Sequence, residues 1–170
     1  MPKPPAAPRG HRRAAARAFT LIELMAVVAV IAILATLAIP SMQDRLVRAQ
    51  IVEAVPIADI AKPLIALSWQ TLKTMPPDNA SIGLPPPEKI VGNMVRSMRV
   101  ENGAIQIEFG NKSNAAIAGK TLSLRPAVVD DAPVVPVAWL CGHATAPDKM
   151  TARGEDRTDI PARFLPLNCR

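Results

Sequence analysis

Apolar positions run almost unbroken over residues 19–39, with Thr20, Glu23 and Thr36 as the only polar interruptions. A helix of that length rises about 30 Å at 1.5 Å per residue, enough to cross the hydrocarbon core of a bilayer. From residue 41 to residue 73 the pattern changes. Leu46, Val47, Ala49, Ile51, Val52, Ala54, Val55, Ile57 and Ile60 recur at spacings of three and four, which predicts that the first helix continues as one long rod. Pro40, Pro56 and Pro63 each lack an amide donor and crowd the preceding turn, so kinks or local unwinding are expected there. The rod should stop by Met75-Pro76-Pro77, because proline disfavours helix in the residue before it.

Residues 76–90 carry Pro76, Pro77, Gly83, Pro85, Pro86 and Pro87 and read as an irregular, extended loop. Period-two segments follow. Residues 94–100 and 104–109 flank a turn at Glu101-Asn102-Gly103, with Ile105, Ile107 and Phe109 on one face, and this is a hairpin signature. Residues 119–126 supply a third strand with Leu122 and Leu124 inward, and residues 134–141 supply a fourth. The predicted fold is α+β: a long N-terminal hydrophobic helix whose second half covers one face of an antiparallel sheet of about four strands.

Charge changes how the first helix is read. Residues 1–18 hold Lys3, Arg9, Arg12, Arg13 and Arg17 and no acid, and basic flanks stay on the cytoplasmic side of a membrane span. The N-terminus should therefore face the cytoplasm and Pro40 onward should be exported. Two plainer readings share this pattern. One is a secretory signal peptide cleaved near Thr36-Leu37-Ala38, which would need an unusually long apolar region containing an acid; the other is an uncleaved anchor. Glu23 speaks against both. An ionised acid in lipid costs about 2.5–3.5 kcal/mol on insertion scales, so it calls for a function and a partner.

The segment Arg17-Ala18-Phe19-Thr20-Leu21-Ile22-Glu23-Leu24-Met25 resembles the processing signal of type IV prepilins. The resemblance implies that a prepilin peptidase cuts between Ala18 and Phe19 and N-methylates the new terminus, leaving Glu23 as the fifth residue. It also implies polymerisation with other copies and other pilins, in which Glu23 of one subunit meets the Phe19 amine of its neighbour. Such a buried pair fixes register more than it adds net stability. Pro40 matches the proline that family members carry at the end of the apolar run. Two features depart from the pattern: Ala18 stands where Gly is usual, and Met42 and Arg45 stand where many pilins have aromatic residues.

The two cysteines, Cys141 and Cys169, both lie in the exported part and should pair in an oxidising compartment. Closing that loop stabilises by about 3.5 kcal/mol in the chain-entropy description. A metal site on Cys141, His143 and Cys169 falls short of a four-ligand set, and no metal or other cofactor is expected. Trp139-Leu140-Cys141-Gly142 and Leu165-Pro166 before Asn168-Cys169 are similar to the closing region of type IVa pilins, whose disulfide loop bounds the head. The expected organisation is a leader over 1–18, a transmembrane and assembly helix over 19–39, an exported helix half over 40–74, and a head over 75–170.

The formal charge of +6 is mostly a leader effect. Without the five basic residues of the leader, 15 basic side chains face 14 acidic ones, for +1. With aromatics at 3 %, charge gives no support for nucleic acid binding, though uptake of DNA stays open through the resemblance. No nucleophile with a base, acid pair or phosphate-cradling loop is recognisable, so the expectation is a structural protein and not an enzyme. The ATPases of the inner-membrane assembly machinery would then be separate proteins. The expected itinerary is inner membrane, with lipid around the helix and a periplasmic head, and then an extracellular pilus serving adhesion, twitching motility or DNA uptake. Other readings are a minor pilin, a type II secretion pseudopilin, and a membrane-anchored periplasmic binding module that is never cleaved.

Overall fold

The computed structural model describes residues 19–170, except for the side chains of residues 37–41. The chain divides into two units between Ile39 and Pro40. The first helix, α1 (Leu21–Ala54), contributes to both, and position 40 lies within its helical backbone.

In the second unit the expected single rod is three segments. α1 ends at Ala54, a 3-10 turn covers Val55–Ile60, and α2 spans Lys62–Leu72. Pro56 and Pro63 sit in the first turns of the two new segments, where a missing N–H leaves no helical bond unmade. The buried face nevertheless stays in phase. Val47, Ile51, Ala54, Ala58, Ala61, Ile65 and Trp69 follow one another at spacings of three and four, and all are buried. α2 closes on Lys73, which adopts the left-handed conformation (φ 55°, ψ 25°) and donates its N–H to the Trp69 carbonyl.

The sheet has five strands: β1 (Val95–Glu101), β2 (Ala104–Phe109), β3 (Thr121–Val128), β4 (Ala138–Cys141) and the two-residue β5 (Thr151–Ala152). Their order is β1-β2-β3-β4, all neighbours antiparallel, with β5 pairing the end of β3. The β1–β2 hairpin closes at Asn102-Gly103, both residues in the left-handed region. Ile105, Ile107, Phe109, Leu122 and Leu124 join the buried face of the helices in one core.

Two expectations about strand length are corrected. β4 starts at Ala138 and not at residue 134, because Pro133 and Pro136 interrupt the approach and leave Val134 82 % exposed. β3 runs through Pro126 instead of ending there. It has outrun β2 at that point, and the proline's carbonyl accepts the Arg153 N–H at 2.8 Å.

The opposite face of the sheet is covered too, by residues 153–160. Gln106 and Ser123 are buried there and bonded: the Ser123 hydroxyl donates to Gln106 Oε1 (2.6 Å) and accepts the Arg157 N–H (2.7 Å), while Gln106 Nε2 donates to the Glu155 carbonyl (3.0 Å). A polar pair on this face is tolerated because its oxygen and nitrogen atoms are bonded to each other and to the cover.

Candidate assembly interface

The N-terminus of α1 is built as a capping box. Thr20 precedes the helix, its hydroxyl accepts the Glu23 N–H at 3.3 Å, and Glu23 Oε2 accepts both the Thr20 N–H and the Thr20 hydroxyl at 2.8 Å. This reciprocal bonding satisfies amides that a helix start leaves without partners. Glu23 therefore has hydrogen-bond partners within a single copy. One carboxylate oxygen takes the cap bonds, one turn from Phe19.

Downstream, over residues 24–36, α1 is apolar on every side and exposed on every side. Phe19 is 85 % exposed, and Leu21, Ile22, Leu24, Met25, Val27, Val28, Val30, Ile31, Ile33 and Leu34 are all more than half exposed. A helix apolar all round has no stripe to turn toward a single-sided core, so it needs an apolar surrounding on all faces. The two threonines fit this demand. Thr20 is used in the cap, and the Thr36 hydroxyl donates to the Ile33 carbonyl at 2.7 Å. Among the described residues no helix is long and apolar enough to cross a membrane. Ala18 and the rest of the expected leader over residues 1–18 lie outside the described residues, as does the Pro40 side chain.

At the other end of the chain Cys141, the last residue of β4, is bonded to Cys169 in the final 3-10 turn. Both sulfurs are used, so neither can ligate a metal. His143 is likewise committed: its N–H donates to the Cys169 carbonyl at 3.1 Å, and its ring Nδ1 lies 2.7 Å from Asp156 Oδ2. Burial pushes the Asp156 carboxyl up, but the hydroxyl and amide of Thr158 and the His143 ring outweigh it and hold it below the ordinary carboxylate value. Arg125 adds two bonds to the carbonyls of Gly142 and Ala144 (3.0 and 2.9 Å). The disulfide loop is thus pinned at both ends and across the sheet. The Arg48 guanidinium ties α1 to it through the Arg163 carbonyl.

Sequence reasoning named Phe19, Glu23, Cys141 and Cys169, and missed Thr20 as the partner of Glu23. The signal was present, since Thr-x-x-Glu ahead of an apolar run is the capping-box pattern. Arg48, Arg125 and Asp156 had no local signal, because their partners are remote in sequence.

Comparison with known proteins covers both ends of the chain. Residues 47–170 match the family described as pilin (bacterial filament), and residues 13–39 match the prokaryotic N-terminal methylation motif. A type IV major pilin protein PilE1 of Neisseria gonorrhoeae is 36 % identical over 160 residues, covering 91 % of this chain and 87 % of the relative. A fimbrial protein of Neisseria meningitidis serogroup B is 34 % identical over 163 residues, covering 91 % and 94 %. The fimbrial protein EcpC of Eikenella corrodens is 31 % identical over 157 residues, covering 91 % and 90 %.

Proposed function

The chain belongs to the pilin family of bacterial filaments, and from that membership and the character of its first helix we propose that it is a structural subunit of a type IV pilus. The observation that carries this reading is the all-round exposure of the apolar residues 21–36 of α1, interrupted by a single acid one turn from Phe19. Copies of such a helix satisfy one another when bundled. Before assembly, lipid is the other solvent that suits them, and the apolar sequence carries on through Ile39.

Prepilin peptidase cuts between Ala18 and Phe19 and methylates the new amine. That amine, protonated at neutral pH, then lies at the end of an apolar helix and needs an anion. Glu23 of a neighbouring copy staggered by about one turn supplies it. The pairing neutralises two charges that neither lipid nor a bundle of apolar helices tolerates singly, and it selects one axial register. The inner-membrane machinery and its ATPases drive extension, and the head reaches the cell surface as part of the fibre.

Mass spectrometry of sheared surface filaments tests the proposal. The expected N-terminal peptide starts at a methylated Phe19. Recovery of the chain with residues 1–18 attached, and no filaments in the sheared fraction by electron microscopy, would refute it.

A further inference from the structure

Asn102 is the one asparagine of the chain that is followed by glycine, and that pair is chemically labile. The Gly103 amide nitrogen, with no side chain to obstruct it, can attack the side-chain carbonyl carbon of Asn102. Ammonia leaves, a cyclic succinimide forms, and water opens the ring. Opening at the former side-chain carbonyl gives aspartate; opening at the main-chain carbonyl gives isoaspartate. The net change consumes water and releases ammonia, and no other reactant is needed. Attack requires a Gly103 nitrogen that is free to lose its proton and to approach the side chain.

The hairpin alone does not hold that nitrogen. Its ladder ends on the pair Glu101 and Ala104, which leaves the amides of the two loop residues outside it. In this head both are taken by the segment that follows α2. The Asn102 N–H donates to the Pro77 carbonyl at 3.2 Å, and the Gly103 N–H donates to the Pro76 carbonyl at 2.9 Å. Asn79 Oδ1 accepts the Val100 N–H, so residues 76–79 run antiparallel to residues 100–103 in one register. Met75 completes the cover, since a β-carbon on Gly103 would stand 2.7 Å from its sulfur. Asn102 itself is exposed, so water reaches the residue that carries the reactive carbonyl while the nucleophile is held.

We propose that Asn102-Gly103 is a spontaneous modification site gated by residues 76–79. In the closed head the Gly103 nitrogen is withheld; when the segment lifts from the turn, Asn102 converts to aspartate and isoaspartate. Isoaspartate routes the main chain through the former side chain and lengthens a two-residue loop, and either product adds a carboxylate beside Glu101. Both changes oppose reclosing, so the conversion permanently marks a head whose segment has opened. The site lies within residues 75–103 and does not depend on the filament reading.

The full chain in detergent micelles is held at mildly alkaline pH and sampled over time, beside the same chain reduced and unfolded in denaturant. Arg99 and Lys112 bound a tryptic peptide of residues 100–112, in which chromatography and mass spectrometry resolve the asparagine, aspartate and isoaspartate forms. Asn111, in the same peptide and followed by lysine, is the internal comparison. The unfolded chain is expected to convert Asn102 well before Asn111. The folded chain is expected to convert Asn102 about tenfold or more slowly, the protection that one amide hydrogen bond supplies. Asn79→Ala releases the segment from β1 and is expected to raise the folded rate. Hydrogen exchange at the Gly103 amide should rise with it, while the Ile107 amide within the sheet exchanges as in wild type.

Three results would each overturn the proposal: no conversion of Asn102 in the unfolded chain, equal rates in the folded and unfolded chains, or a rate in Asn79→Ala unchanged from wild type. Where Asn79→Ala also loosens the sheet, the series wild type, Asn79→Asp and Asn79→Ala decides. Conversion that ranks with Gly103 exchange supports the gate; conversion that ranks with Ile107 exchange assigns the reaction to global unfolding and overturns it.

Discussion

Asn79 bonds to Val100 as a neighbouring strand would. Its Oδ1 accepts the Val100 N–H at 2.6 Å while its Nδ2 donates to the Met98 carbonyl at 3.2 Å, two residues back on the outer edge of β1. β1 is the open edge of the sheet, and an open edge is a template for pairing with another chain. The side chain is 4 % exposed, and its amide also donates to the Pro85 carbonyl, which ties the proline-rich loop to the same edge. For the proposed assembly through the helix, a plugged edge removes a competing mode of association.

Asn79→Ala is therefore expected to leave the Val100 N–H unmatched, at a cost of about 1–3 kcal/mol. Asn79→Asp should cost less, since it keeps the acceptor for Val100 and loses only the donor side. Thermal unfolding followed by near-ultraviolet circular dichroism checks the order wild type, Asp, Ala. Light scattering should show the Ala variant aggregating first; equal stability of all three would deny the plug its role.

The disulfide and the close approach beside it form a second test. The loop it closes spans 28 residues, so reduction should cost about 3.5 kcal/mol in the chain-entropy description. Gly142, at φ 54°, follows Cys141 directly, and a β-carbon there would collide with the Cys169 carbonyl. Gly142→Ala is expected to destabilise the oxidised head by more than about 1 kcal/mol from the left-handed backbone alone. Denaturation with and without reductant checks both, the glycine effect shrinking once the bridge is open.

The parts of this fold that sequence revealed are those whose partners are near or periodic. The 19–39 run, the three-four spacing on to Ile60, the alternation around Asn102-Gly103 and the cysteine pair are local signals, and each corresponds to an element or bond of the structure. Residues 143–160 have no period and hold themselves through remote bonds. Hence β5, the cover over Gln106 and Ser123, and the His143–Asp156 contact were invisible. Pro126 misled for the same reason: a proline ends a strand by local rules, but here the neighbour that would need its N–H has already stopped. At the helix start the signal was local and was read as a membrane anomaly, although Thr20 answers Glu23 in the same turn.

Asp156 gives a prediction in acid. Its folded-state titration lies below the ordinary value of 3.8, so its contribution to stability is fully present above that value and is lost as pH falls through the lower, folded one. Asp156→Asn should be less stable than wild type at neutral pH and should flatten the loss as pH falls below the ordinary carboxylate value. Melting temperature against pH for the two chains checks the sign. Parallel curves would show that the carboxylate contributes nothing through its charge.

Glu23 has two tasks, and one substitution separates them. As a cap it needs only an acceptor oxygen, because the bonds from the Thr20 N–H and hydroxyl do not require a charge. As the partner of a methylated Phe19 amine it needs the negative charge. Glu23→Gln keeps the acceptor and the length and removes the charge; Glu23→Ala removes all three. Loss of the cap bonds alone is a small change against the burial of the apolar residues that follow. Both variants are thus expected to stay inserted and helical in the membrane fraction. If intersubunit charge pairing sets the register, Gln should fail to form filaments about as completely as Ala, and sheared fractions should be empty by electron microscopy. Filaments from Gln but not from Ala would instead assign Glu23 to the cap and leave the amine to another anion.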